Sequence, residues 1–104
     1  MISVPPSPIR YQSFWCEENI WQLIQHPAAA AKDRLVLVIT GAEAQVACWK
    51  QKAGNDIDPV LWDYHVVLAT RGDAWRVWDL DSRLGFPVAA QMWMQKTFPF
   101  PERV

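Results

Sequence analysis

Apolar positions with a helical period begin at Cys16. Cys16, Ile20, Leu23 and Ile24 fall on one face of a helix. Glu17 and Glu18 stand in its first turn, where the positive end of the helix favours carboxylates. Pro27 should stop it near His26, and the alanine run to Ala31 reads equally as a second short helix or as a connector. Leu35-Val36-Leu37-Val38-Ile39 is an unbroken apolar run ending at Thr40-Gly41, which predicts a strand buried on both faces. Residues 46–49 make a second strand, and 52–59, with Gly54-Asn55-Asp56 and Asp58-Pro59, a polar loop. Residues 61–70 then alternate, Trp62, Tyr64, Val66 and Leu68 on one face and Asp63, His65, Val67 and Ala69 on the other. Arg71-Gly72-Asp73 supplies a turn and residues 74–79 alternate again, so a β-hairpin is predicted. Phe86-Pro87 breaks the pattern, 88–96 suits a helix, and Phe98-Pro99-Phe100-Pro101 does not.

The 104 residues suffice for a single domain, with residues 1–10, rich in proline, as an extended lead-in. Ten Lys and Arg against eleven Asp and Glu give a net charge of -1, so neither nucleic acid nor an anionic membrane is an expected partner. No apolar run approaches the roughly 20 residues of a membrane span, and no secretory signal opens the chain. A soluble, cytoplasmic protein is the expectation. In that setting the two cysteines stay reduced, and Cys48, inside an apolar strand, reads as a small buried hydrophobe. Seven tryptophans imply that most are buried or line a cleft.

The hairpin suggests chemistry. If Arg71-Gly72-Asp73 is a three-residue loop, Thr70 faces Ala74 and His65 lies directly opposite Asp79, with Cβ atoms about 5 Å apart. A two-residue Gly72-Asp73 turn would instead pair Val66 with Asp79 and send His65 to the other face. An imidazole held by a carboxylate can serve as base for a thiol, and Cys16 at a helix start sits where backbone amides favour a thiolate, although Glu17 and Glu18 oppose it. Each residue also has a plainer reading. Cys16 is then one more apolar helix position, His65 a strand residue bonded to a carbonyl, and Asp79 or Asp81 a solvated strand-end acid. His26, beside Pro27, reads as a surface or capping residue. No zinc site is expected, since there is no Cys-x-x-Cys and no helical His pair, and no phosphate loop or other cofactor motif is present.

Several strings in order resemble the protein N-terminal glutamine amidohydrolase family, related to papain- and transglutaminase-type cysteine enzymes. They are Trp15-Cys16-Glu17-Glu18-Asn19-Ile20-Trp21, Trp49-Lys50-Gln51, Pro59-Val60-Leu61-Trp62-Asp63-Tyr64-His65-Val66-Val67-Leu68, and Asp79-Leu80-Asp81 with Phe86-Pro87. The resemblance implies Cys16 as nucleophile, His65 as base and Asp79 as its partner. It also implies hydrolysis of an N-terminal glutamine side-chain amide through a thioester, on proteins destined for degradation. The oxyanion would be met by the Cys16 backbone N–H, with Gln12 as a candidate second donor. Glu17, Glu18 and Asp63 are options for binding the substrate α-ammonium, and the sequence does not choose among them.

Members of that family continue for about as long again after the Phe-Pro segment, so the chain is read as a partial domain. Two other readings remain: an inert fragment or interaction module of the same fold, and another cysteine amidase or acyl transferase. The fold expected is α+β, an antiparallel sheet packed by an N-terminal helix carrying the nucleophile, papain/transglutaminase-like and truncated. Apolar strand faces left uncovered by so short a core should favour association.

Overall fold

The computed structural model describes residues 9–99. The expected lead-in lies mostly outside that range; Ile9 and Arg10 carry no regular structure. Helix α1 spans Cys16–Ile24 and ends on Gln25, two residues before Pro27. The alanine run resolves into a single 3-10 turn, Pro27–Ala29, with His26 Nδ1 accepting the Ala28 N–H at 3.0 Å, so His26 is a capping residue. The strands are β1 (Asp33–Ile39), β2 (Val46–Cys48), β3 (Val60–Trp62), β4 (His65–Arg71), β5 (Trp75–Trp78) and β6 (Val88–Ala89), followed by α2 (Ala90–Thr97). Among the described residues, no helix is long and apolar enough to cross a membrane.

The fold is α+β. An antiparallel sheet runs β1-β4-β5-β6, and β2 pairs with β3 in a separate ribbon. Strand β4, an unbroken run of apolar residues after His65, occupies the interior of the sheet and is buried from His65 to Thr70. On one sheet face Val66, Leu68 and Trp78 pack against Cys16, Ile20 and Leu23 of α1. On the other, Val67 and Val77 meet Trp93 of α2, with Leu37 and Ile39 at the margin. The amphipathic helix thus buries its apolar stripe as its period requires, with Asn19 an unforeseen polar member of that face.

Three expectations are corrected. Strand β1 is not buried on both faces: among the described residues it is an edge strand, and Leu35, Val36 and Val38 are each at least half exposed. A continuous apolar run does not reveal which face lacks a covering layer. The alternating segment 61–70 is not one strand. It bends at Asp63-Tyr64, leaving β3 and β4 in different sheets. Finally, the hairpin loop has three residues, but they are Gly72-Asp73-Ala74, with Arg71 opposite Trp75 and Leu68 opposite Trp78. The register is therefore displaced by two positions from the one expected, and an even displacement leaves every side chain on its original face.

Candidate active site

The nucleophile candidate is delivered by a short, tightly held turn. Phe14 adopts φ 67°, a left-handed conformation unfavourable for a bulky residue, and Trp15 caps α1 without a side-chain bond. What holds the turn is Asn19, one helical turn beyond Cys16. Its side chain accepts the Gln12 N–H at 2.8 Å and donates to the Gln12 carbonyl at 2.9 Å. The Tyr11 hydroxyl donates to Asp81 at 2.8 Å, tying the same turn to the segment after β5. Cys16 is thereby fixed as the first helical residue, so its backbone N–H has no acceptor within the helix.

His65 begins β4 and Asp79 follows β5, so both lie at the end of the sheet reached by the start of α1. They are not the directly opposed pair expected. Asp79 lies beyond the last paired residue of β5, and its side chain reaches back so that Oδ1 sits 2.9 Å from His65 Nε2. Both residues are essentially inaccessible to solvent. The other ring nitrogen, Nδ1, is buried with no hydrogen-bond partner in the described structure.

The bend at Asp63-Tyr64 explains a second contact. In an uninterrupted strand Trp62 and His65, three residues apart, would project from opposite faces. With the chain bent, the two rings stack with centroids 5.5 Å apart and planes 8° from parallel. Phe14 meets the edge of Trp62 at 5.8 Å.

Asp79 is surrounded by donors. Oδ1 also accepts the Asp81 N–H at 3.1 Å, while Oδ2 accepts from Gln51 Nε2 at 3.1 Å and Trp93 Nε1 at 2.9 Å. Burial by itself raises the Asp79 pKa, but the bond and charge of His65, then Trp93 and Gln51, carry it below the usual carboxylate value. Burial likewise pulls His65 down. The hydrogen bond to Asp79, interaction with the Cys16 side chain, and the charges of Asp79 and Asp81 more than reverse this, to about 9. An ionised His65–Asp79 pair follows. Asp81, buried 2.8 Å from the Tyr11 hydroxyl, is itself pushed up, chiefly by burial. His65, Asp79 and Asp81 bring ligand-type atoms within 4.8 Å of one another, but His65 Nε2 and Asp79 Oδ1 face each other in a hydrogen bond rather than an open coordination position. Cys48 is buried and free, its thiol pushed up to about 12 by burial and by the charges of Asp79 and Asp81.

A cleft of about 380 Å³ opens at Cys16, lined by Phe14, Trp15, Glu17, Glu18, Trp62, Asp63 and Tyr64. All three acids expected at the site therefore border it, whereas Gln12 does not. Glu17 accepts a hydrogen bond from the Tyr64 hydroxyl, and Glu18 accepts from Gln22 at 3.3 Å. Asp63 has no hydrogen-bond or ion-pair partner among the described residues.

Residues 11–104 match the N-terminal glutamine amidase family. The chain belongs to that family. It is 35% identical over 104 residues to the protein N-terminal glutamine amidohydrolase of Homo sapiens, covering 90% of this chain and 51% of that protein. Against the proteins of the same name from Caenorhabditis briggsae and Arabidopsis thaliana identity is 36% and 33%, over 93% and 92% of this chain and 52% and 48% of theirs. The chain thus spans about half the length of the curated relatives it matches.

Sequence reasoning missed the groups that support the pair. Gln51 and Trp93 lie far from Asp79 in sequence, and Trp62 reaches His65 only through a bend. The sole signal for Gln51 was its place in the string Trp49-Lys50-Gln51, which carried no role. Asn19 could have been found: an amide on the apolar stripe of a helix must bond something when buried.

Proposed function

We propose that the chain hydrolyses the side-chain amide of an N-terminal glutamine, giving glutamate and ammonia, with Cys16 as nucleophile, His65 as acid–base and Asp79 as its orienting carboxylate. The observation that carries this reading is the buried imidazole, fixed by Asp79 at Nε2 and interacting with Cys16, while Nδ1 is left without a hydrogen-bond partner. The name shared by the relatives supports the substrate class.

Cys16 Sγ attacks the carboxamide carbon, and the oxyanion that forms is met by the Cys16 backbone N–H; Gln12, off the cleft wall, remains the weaker candidate for a second donor. His65, protonated at neutral pH, gives its Nδ1 proton to the departing nitrogen, and the C–N bond breaks to release ammonia and leave a thioester. Water then attacks the thioester as His65 takes its proton; the C–S bond breaks, yielding the glutamate side chain and returning Cys16 and His65 to their starting state. Asp79 stays ionised throughout and holds the ring. The acid-lined cleft suits a terminal ammonium. Asp63, whose carboxylate is uncommitted, is its primary partner, with Glu17 and Glu18 adding negative potential.

Ammonia release from a glutamine-leading peptide tests this. Cys16→Ala should abolish it, Asp79→Asn should lower kcat by about 10²–10⁴-fold, and Asp63→Asn should raise KM. N-acetylation of the peptide should prevent reaction, and consumption of an added amine in place of water would indicate an acyl transferase instead. Full activity in Cys16→Ala would exclude the triad. A chain spanning half of its relatives also suits an inert domain of the same fold, a reading favoured if no peptide is turned over although Cys16 is selectively alkylated.

A further inference from the structure

We propose that Gln51 is a positioning residue for the acid–base pair, its side-chain amide bridging Asp79 and Trp62 so that carboxylate and indole are held on His65 together. This rests on the catalytic reading above and extends it to a residue with no role assigned.

Gln51 is completely buried. Nε2 donates to Asp79 Oδ2 at 3.1 Å and Oε1 accepts from Trp62 Nε1 at 3.2 Å. The amide has only one sensible orientation: reversed, its oxygen would face a carboxylate and its NH₂ an indole N–H. The backbone is as firmly held as the side chain. Lys50, at φ 57°, turns the chain inward; Lys52 donates to the Asp81 carbonyl at 2.6 Å and Arg83 to the Lys50 carbonyl at 2.7 Å, while Arg83 Nε donates to the Gln51 carbonyl at 2.8 Å. Gln51 is therefore anchored to the segment that carries Asp79, and both of its side-chain bonds reach groups that touch His65.

A buried amide is costly unless its bonds are made, and an apolar residue of equal size would fill the space without that risk. The amide supplies direction. Without it Oδ2 retains only Trp93, and the carboxylate plane, still bonded at Oδ1 to His65 and the Asp81 N–H, loses one of the two donors that fix its other oxygen. Trp62 at the same time loses the bond that fixes the indole plane parallel to the imidazole. Because Gln51 is absent from the cleft wall, its influence on substrate must pass through the pair.

The test is the His65 titration followed by NMR of the labelled imidazole. The groups that act on the ring are Asp79 and Asp81 from the segment after β5 and the Cys16 side chain from α1; Tyr11 and Lys52 act on Asp81, and both acids act in turn on the Cys48 thiol of β2. Gln51→Met removes both bonds at similar length. Its His65 pKa should fall by about one pH unit, a tenfold weakening of proton binding, in a protein whose spectrum stays dispersed. An unchanged value overturns the proposal, and so does a rise, which is what an amide that merely drew charge from Asp79 would give on removal. Trp62→Phe, which keeps a six-membered aromatic ring beside His65 and deletes the N–H together with the five-membered ring that carries it, should produce a smaller fall, and no fall there overturns the proposal if Gln51→Met does not fold. The readout needs no turnover, so failure to hydrolyse the glutamine peptide counts against the amidohydrolase reading alone. Where turnover is measurable, Gln51→Met should lower kcat and leave KM unchanged.

Discussion

Burial alone would leave the His65 imidazole neutral; what makes it an imidazolium at pH 7 is the carboxylate bonded to it. Its folded pKa of about 9 lies above the ordinary 6.5, so its contribution to stability is complete below pH 6.5 and is lost as pH rises through 9. That interval corresponds to ~3 kcal/mol, shared with Asp79 rather than added to it. Asp79, depressed below 3.8, runs the other way: its contribution is present above that value and is lost as pH falls through the folded pKa. The urea midpoint should therefore decline between pH 6.5 and 9, and His65→Gln should abolish this decline while lowering stability at pH 6. A slope that survived the substitution would refute the assignment. The cysteines differ in the same terms. With its pKa near 12, Cys48 should resist iodoacetamide at pH 7.5 while Cys16, on the cleft wall, is labelled first. Equal labelling would contradict the burial described. The sequence pointed to Cys16, His65 and Asp79 because motif strings and alternation both mark single positions. It was silent on Gln51 and Trp93, because a hydrogen bond across 28 or 14 residues leaves no periodic trace.

The elements that place these residues were partly readable for the same reason. Helix α1 followed from a stripe of period 3.6 and a proline stop, and parity put His65 and Asp79 on one face even though the loop was displaced by two residues. Parity survives an even displacement; pairing does not. The bend between β3 and β4 was hidden because Asp63-Tyr64 continues the alternation in type while the backbone departs from it. Alternation records which residues suit a pleat, not whether the next residues pair with the same partner. The turn before α1 depends on Asn19, whose two bonds to the Gln12 backbone offset the unfavourable φ of Phe14. Asn19→Ala should destabilise the protein by about 1–3 kcal/mol. Amide exchange should accelerate at Gln12 and Trp15 before it does in β4, and if the turn keeps its protection another contact holds it.

The sheet has helices on both faces, yet neither helix extends over β1. Val36 and Val38, on the face of α1, form with Ile20, Trp21 and Ile24 an apolar groove at the margin, and Leu35 is exposed on the opposite side. Val38 is 62% exposed, far from the burial that its apolar run led one to expect, and Trp21 of α1 beside it is 60% exposed. Beside this groove the outer edge of β1 pairs with no strand among the described residues. An apolar strand with an unpaired edge invites pairing with another chain; charged side chains along such an edge oppose it, and in β1 they stand only at its start, at Asp33 and Arg34. Concentration-dependent association is therefore expected in sedimentation or light scattering. Val36→Lys and Val38→Lys should reduce it, each shifting the unfolding midpoint little because a half-exposed valine contributes about 1 kcal/mol or less. Val36 pairs with Leu68, three residues along β4 from His65, so the His65 titration should be unaffected in Val36→Lys. If the lysine variants associate as strongly as the parent, the edge of β1 is not the contact and the exposed pair Phe14 and Trp15 at the cleft becomes the surface to substitute next.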